Sequence, residues 1–328
     1  MGEPIDLLSL VLTLRPLEAL TDVPPLGRAA HALLLDAVRW SDPALAEQIH
    51  AGSEARPFTV SGLIGVQRAI GLTTNRTYAL RLTALSASVA QALIKAMAPS
   101  AAFPRQMNDH LTEGGATPDP EDAPLTVGAQ VHLAQAAFRV EAVDTGLDPA
   151  INPQSPTSSP HHPWAAAMTY ETLSAQWLLG RATPGRSVGL QFTSPTTFKQ
   201  GGRHLPVPLP GLVFGSLLEK WNDFAPVAFP PEVRRYAEEC LAISQFNWQS
   251  RGVPLKEGGL RVGVVGQVCY TATSFDRYWL SLINVLAEFA RFAGVGASTT
   301  MGLGQCRPIS EFGGRRTAQA PTARSKEE

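Results

Sequence analysis

Gly294-Val-Gly296-Ala-Ser-Thr-Thr-Met-Gly302-Leu-Gly304 follows directly on an amphipathic helical pattern and leads into a short strand-like run, Gln305-Cys-Arg-Pro-Ile309. Its glycines are separated only by small or hydroxyl side chains, with Val295, Met301 and Leu303 as the larger ones. A loop of this kind lets backbone N–H groups approach a large anionic surface, and phosphate is the usual occupant. A dinucleotide-binding fingerprint must follow a strand and open a helix, whereas here the helix comes first. No Gly-Lys-Ser/Thr closes the loop, so it is not a P-loop either. Taken alone, a glycine cluster is as readily a flexible turn; the rest of the chain argues against that.

Upstream of the loop, Phe275–Phe292 carries a strong helical apolar period. Strands are expected within Leu260–Thr273 and at Val188–Phe192, and helices at Leu212–Phe224, around Glu232–Ile243 and around Thr169–Leu179. In the first half, Leu7–Leu14 alternates as a strand with one buried face, and Gly27–Trp40 is helical. Asp42-Pro43 starts a short helix, Asp42 as N-cap and Pro43 in the first turn, which runs over Ala44–His50 to a capping glycine at Gly52. Strands at Pro57–Leu63 and Thr77–Leu85, a helix at Ser88–Met97 and a strand at Ala129–Val143 follow. The order strand, helix, strand, strand, helix, strand is ferredoxin-like, and the second half repeats it coarsely. The expected division is a first domain over 1–145, a linker with a helix over 146–185, a second domain over 186–312 and a disordered tail over 313–328.

With 328 residues, 44% hydrophobic, the chain can bury real cores. It has no apolar run of membrane-spanning length, and its acidic N-terminus is unlike a signal peptide, so a cytoplasmic protein without membrane partners is expected. Cys240, Cys269 and Cys306 fit neither a disulfide framework nor a zinc site. The net charge of −1 gives no support to a general nucleic-acid binder. The charges are uneven, however: residues 109–122 are acidic, while Arg181, Arg186, Lys199, Arg203, Arg291 and Arg307 fall in the second half.

His31 on the flank of the first helix and His50 at the end of the second form a metal-free acid–base pair in principle. One imidazole can take the proton of a ribose 2′-OH and the other protonate a departing 5′-oxygen, while a cation such as Arg56 steadies the phosphate. A single surface histidine is usually scaffold, which is the reading for His110, His132, His161, His162 and His204. No metal or other cofactor is expected. Phe198 beside Lys199 and Arg203 could stack a base and grip phosphates, or Phe198 could belong to a core. Trp221, Trp248 and Trp279 read as packing residues.

Three segments together resemble a known family. They are His31–His50 continuing through Arg56-Pro-Phe-Thr-Val-Ser61; Phe192–Phe198 with Pro208–Asn222 behind it; and Gly294–Gly304. In this order they resemble the CRISPR-associated endoribonucleases that process precursor CRISPR RNA, within the repeat-associated mysterious protein superfamily. The resemblance implies an α+β fold of two tandem ferredoxin-like (RRM-like) domains with RNA bound across them. It also implies a metal-independent cut within a CRISPR repeat, leaving 5′-hydroxyl and 2′,3′-cyclic phosphate ends. Catalysis would fall to His50, to His31 in the two-histidine variant of the family, and to Arg56 where other members carry lysine. Members with a catalytic tyrosine carry it where this chain has Leu35. RNA contacts would come from Phe198, Lys199, Arg203 and from Gly294, Gly296, Gly302 and Gly304. Other CRISPR effector subunits are further partners such a protein can have. Two non-cutting readings stand beside the nuclease: an RNA-holding subunit of an effector complex, and a homologue that binds repeats without cleaving them.

Overall fold

The computed structural model describes residues 5–52, 55–67, 69–98, 123–147, 161–180, 183–254, 259–312 and 315–316. The first half comprises β1 (Leu7–Pro16), α1 (Gly27–Ser41), α2 (Pro43–Ala51), β2 (Phe58–Val60), β3 (Tyr78–Ala84), α3 (Ala87–Met97), β4 (Gln130–Leu133), β5 (Ala136–Asp144) and β6 (Ala166–Met168). The second comprises α4 (Tyr170–Leu178), β7 (Ser187–Thr196), β8 (Phe198–Gln200), β9 (Arg203–Leu205), α5 (Pro210–Phe224), α6 (Glu232–Cys240), β10 (Leu241–Pro254), β11 (Leu260–Ala272), α7 (Arg277–Ala293), β12 (Cys306–Ile309), β13 (Glu311–Phe312) and β14 (Arg315–Arg316).

The first sheet runs β2-β3-β1-β5-β4, with β6 also paired to β1, and the second runs β10-β11-β7-β12. With β5 and β12 as fourth strands, each sheet has the order second, third, first, fourth, with antiparallel neighbours throughout. That permutation is the ferredoxin-like one, so the fold is two tandem ferredoxin-like units. Leu8, Leu10, Leu12 and Leu14 on one face of β1 pack beneath Leu33 and Leu34 of α1 and Leu93 of α3. Leu190 and Phe192 of β7 pack with Phe214 and Trp221 of α5 and Ile283 and Phe289 of α7. Leu7, next to the first core in sequence, faces the other way into the second core.

Several sequence expectations change. Ala129–Val143 is a hairpin rather than one strand, turning at Ala134 with φ 55°. Nothing in Leu133-Ala-Gln-Ala136 announces a turn, since Gly, Asn and Pro are all missing. The helix expected to reach Ile243 stops at Cys240, where the unforeseen strand β10 begins. β10 is a sheet edge whose inward apolar residues Leu241, Ile243 and Trp248 are put out of strict alternation by a register shift between Ile243 and Gln245. Trp248 therefore lies on a strand, stacked at 4.5 Å on the exposed Phe246. Asp42 does accept the Leu45 N–H, but Gly52 is extended (φ −65°) rather than a left-handed cap. The Ile49 carbonyl there is taken by Arg56 Nη1 instead. The acidic stretch and most of the expected tail lie outside the described residues, although β14 pairs with β13 within the tail's range.

The two units meet at the C-terminal end of α7, where four successive carbonyls have partners from outside the helix. Arg81 of β3 donates to Arg291 O; Thr83 and Thr59 hydroxyls donate to Phe292 O at 3.0 and 3.1 Å. Lys220 of α5 donates to Ala293 O and Gly294 O at 3.0 and 3.2 Å. Arg81 is fully buried; its Nε donates to Gln305 Oε1 at 2.9 Å, and its guanidinium lies 4.6 Å over the Trp164 ring. Burial, with the nearby Arg291 charge adding to it, pulls the Arg81 guanidinium down to about 9. Gln305 completes the link by donating Nε2 to Val60 O at 2.8 Å. Gln305→Leu leaves a buried cation short of its acceptor, and we expect it to cost about 3 kcal/mol of stability, measured by urea denaturation.

Candidate functional site

His31 is half-buried on α1, and its Nδ1 lies 2.9 Å from the carbonyl of Thr300 in the glycine-rich loop. A carbonyl only accepts, so Nδ1 carries the hydrogen and Nε2 keeps a free lone pair. The ring packs 5.2 Å from Phe58. Burial lowers the His31 pKa; the Thr300 bond opposes this, and the Arg56 charge lowers it further. His31 is therefore held neutral near pH 7, in the tautomer that can accept a proton at Nε2.

The loop reaches α1 because glycine stands on both sides of the contact. A Cβ on Gly27 would sit 2.0 Å from Met301 O. Gly302, at φ +86°, bridges to Ser61, and a Cβ there would lie 2.9 Å from Gly62 N. Within the loop, Val295 N–H bonds Gly304 O, Ala297 N–H bonds Thr197 O, Gly304 N–H bonds Pro195 O and Gly296 N–H bonds Ser216 Oγ. The loop is thus a fixed platform and not a flexible turn. Gly294, Gly302 and Gly304 are buried and allow close packing, while Gly296 is half-buried. The outward surface of the loop belongs to Gly296, Ala297, Ser298, Thr300, Met301 and Leu303.

Arg56 is half-buried between α2 and β2, tied to Ile49 O, with its charge felt at His31. It also lines an open cleft of about 320 Å³ with Leu45, Gln48, Ile49, Pro57 and Phe224. His50 is exposed on the last turn of α2 and, among the described residues, has no hydrogen bond to His31 or Arg56. The structure therefore brings His31, Arg56 and the loop together, with His50 exposed next to Ile49, whose carbonyl Arg56 holds.

Lys199 and Arg203 are exposed on the β8–β9 hairpin, as a phosphate-gripping role requires. Phe198 is not available for stacking: it is 2% exposed and belongs to the second core. The strand period alone could not tell the two roles apart. Arg261 on β11, which the sequence reading missed, donates to Ser298 Oγ at 2.9 Å. Its charge, with that of Lys199, lowers the His204 pKa after a larger contribution from burial. A basic strip thus runs from the hairpin to the loop; no local motif marks Arg261, since its partners are distant in sequence. His161 and the His162 backbone both bind Asp144, a scaffold role, and His132 is exposed on β4. Arg307 lies 5.3 Å over Trp164 and donates to Gln191. Among the described residues no group of three His, Cys, Asp or Glu converges to hold a metal, and no helix is long and apolar enough to cross a membrane.

Two ferredoxin-like units, with the glycine loop of the second packed on the first helix of the first, define a double-ferredoxin protein. Residues 7–92 match the model of the CRISPR Cas6 N-terminal domain, and residues 190–306 that of CRISPR-associated endoribonuclease Cas6. Together the matched segments take in more than half of the chain and fall one on each unit, so the chain belongs to the Cas6 family. CRISPR-associated endoribonuclease Cas6 of Mycobacterium tuberculosis (strain CDC 1551 / Oshkosh) is 32% identical over 124 residues, 37% of this chain and 38% of that protein. The chain thus matches well under half the length of this relative. A solved Cas6 product complex is 25% identical with a TM-score of 0.64, covering 93% of this chain and 99% of the other. Thermus thermophilus Cas6 superposes with a TM-score of 0.62 at 23% identity, covering 94% and 100%.

The lowered pKa of His31 has a direct test. In a ¹³C/¹H NMR titration its midpoint should fall below the ordinary value of about 6.5, with the Nδ1–H tautomer dominant above it. Gly27→Ala, by pushing Thr300 away, should lower the midpoint further, because the hydrogen bond that raises it is lost.

Proposed function

We propose that this protein is an endoribonuclease that cuts precursor CRISPR RNA within its repeats, by attack of a ribose 2′-OH on the adjacent phosphorus. The observation that carries the reading is His31, held neutral by burial with Nδ1 bonded to Thr300 and Nε2 free. His31 Nε2 takes the proton from the 2′-OH, the O2′–P bond forms and the P–O5′ bond breaks. His50 protonates the departing 5′-oxygen, giving 5′-hydroxyl and 2′,3′-cyclic phosphate ends without a metal ion. Its exposed place on α2 suits a group that meets its partner only when RNA is seated. Arg56 stabilises the charge that builds on the phosphate. Lys199, Arg203 and Arg261 carry the RNA backbone toward the loop, whose hydroxyl and backbone surface at Ser298 and Thr300 faces it.

A second reading, an RNA-holding protein that does not cut, draws on Leu35 where other members place tyrosine and on the lack, among the described residues, of a hydrogen bond from His50 to His31 or Arg56. One assay separates the two: purified protein in excess EDTA, an end-labelled repeat RNA, and the same RNA with a single 2′-deoxy at the mapped cut. We expect cleavage in EDTA that the 2′-deoxy abolishes. His31→Ala should slow it by ~10²–10⁴ and His50→Ala at least as much, with RNA affinity within a few-fold. Tight binding without a cut supports the second reading; cleavage that survives His50→Ala removes His50 from the mechanism.

A further inference from the structure

Lys220 lies on α5 with its ammonium turned inward. It donates to Ala293 O at 3.0 Å, Gly294 O at 3.2 Å and Thr299 Oγ1 at 3.3 Å. The first two are terminal carbonyls of α7, where the helix dipole presents its negative end. The third belongs to the residue before Thr300, whose carbonyl holds His31. One turn earlier on the same helix, Ser216 Oγ accepts the N–H of Gly296. α5 therefore grips the start of the loop at two points, and Lys220 reaches across to its middle.

We propose that Lys220 is a positioning residue for RNA cleavage: by clamping the end of α7 to Thr299 it fixes Thr300 against His31, and so sets the tautomer and orientation of that imidazole. The proposal rests on the endonuclease reading for its kinetic consequence, but its structural part can be tested apart from it. Lys220 touches no substrate in this scheme; it acts through Thr299 and Thr300. The charged and titratable groups acting on it are Glu219 beside it on α5 and the Cys306 thiol on β12; α7 offers it backbone carbonyls. Cys306 is itself kept neutral by burial, despite the nearby Arg81 and Lys220 charges.

The clamp is also sensitive to pH. Burial lowers the Lys220 pKa to about 7, against a favourable contribution from Glu219. The sign follows: below that value the ammonium supplies three donors and a positive charge at the helix end. As pH rises through it, the neutral amine keeps two donors and no charge, and the clamp weakens.

The test uses the full chain with Lys220→Met and Lys220→Arg. Single-turnover rates are measured from about pH 6 to about pH 9 on a repeat RNA and on the same RNA with sulfur as the 5′-leaving atom. A thiolate leaves without a proton donor, so the sulfur substrate removes the pH dependence of the general acid. On it, wild-type protein should still lose rate above about pH 7, while Lys220→Arg, which stays charged, should hold its rate there. Lys220→Met should cut both RNAs about 10²-fold more slowly. Its His31 midpoint, read by NMR, should shift below that of the wild type as the Thr300 bond loosens. A folded Lys220→Met variant with wild-type rates and an unchanged His31 titration overturns the proposal. If wild-type protein cuts neither RNA, the endonuclease reading falls; the His31 titration then decides the clamp alone, and an unshifted midpoint in Lys220→Met rejects it.

Discussion

The C-terminal end of α7 is the constraint on which the rest of this molecule depends. A helix that ends inside a protein leaves its last carbonyls without partners and its negative pole without solvent. Here Arg291, Phe292, Ala293 and Gly294 present those carbonyls to the junction of two domains, and both domains answer. The first supplies a guanidinium from β3 and two threonine hydroxyls, the second a lysine from α5. Because the donors come from β2, β3 and α5, satisfying the helix end fixes how those three elements sit relative to one another. Burying two cations carries a desolvation cost, evident in the lowered pKa values of Arg81 and Lys220. The carbonyls and the Gln305 amide offset it.

The proposed catalytic site lies at this junction rather than in either domain alone. His31 comes from the first domain and the carbonyl that orients it from the second. The basic strip of Lys199, Arg203 and Arg261 belongs to the second domain and leads to the same loop. A ligand lying on the strip would therefore be delivered to an imidazole held on the neighbouring domain. Glycine makes this possible by absence: at Gly27 and Gly302 any side chain would drive α1 and the loop apart.

Much of the fold was legible in the sequence because it follows from local periodicity. The leucines of β1 alternate, α7 carries a continuous apolar stripe, and Asp42-Pro43 announces the start of α2. The failures have local causes as well. The β4–β5 turn has no glycine or proline, and β10 is an edge strand whose few inward apolar residues are put out of alternation by a register shift. Phe198 shows a third kind: an aromatic between polar neighbours can point either way, and only the packed core decides.

Taken by itself, the amino-acid sequence determined the order of elements, the identity of His31, His50 and Arg56 as candidates, and the presence of a loop built for close approach. These are properties of residue type and spacing, which the chain carries before it folds. The tertiary structure decided the rest: that His31 meets Thr300, that Arg81 and Lys220 hold the end of α7, that Arg261 joins the loop, and that the glycines serve packing. The hydrogen bonds among these pair residues 37 to 269 positions apart, never within one helix or hairpin. Their energies depend on burial and on partners brought from elsewhere, and no local pattern encodes those.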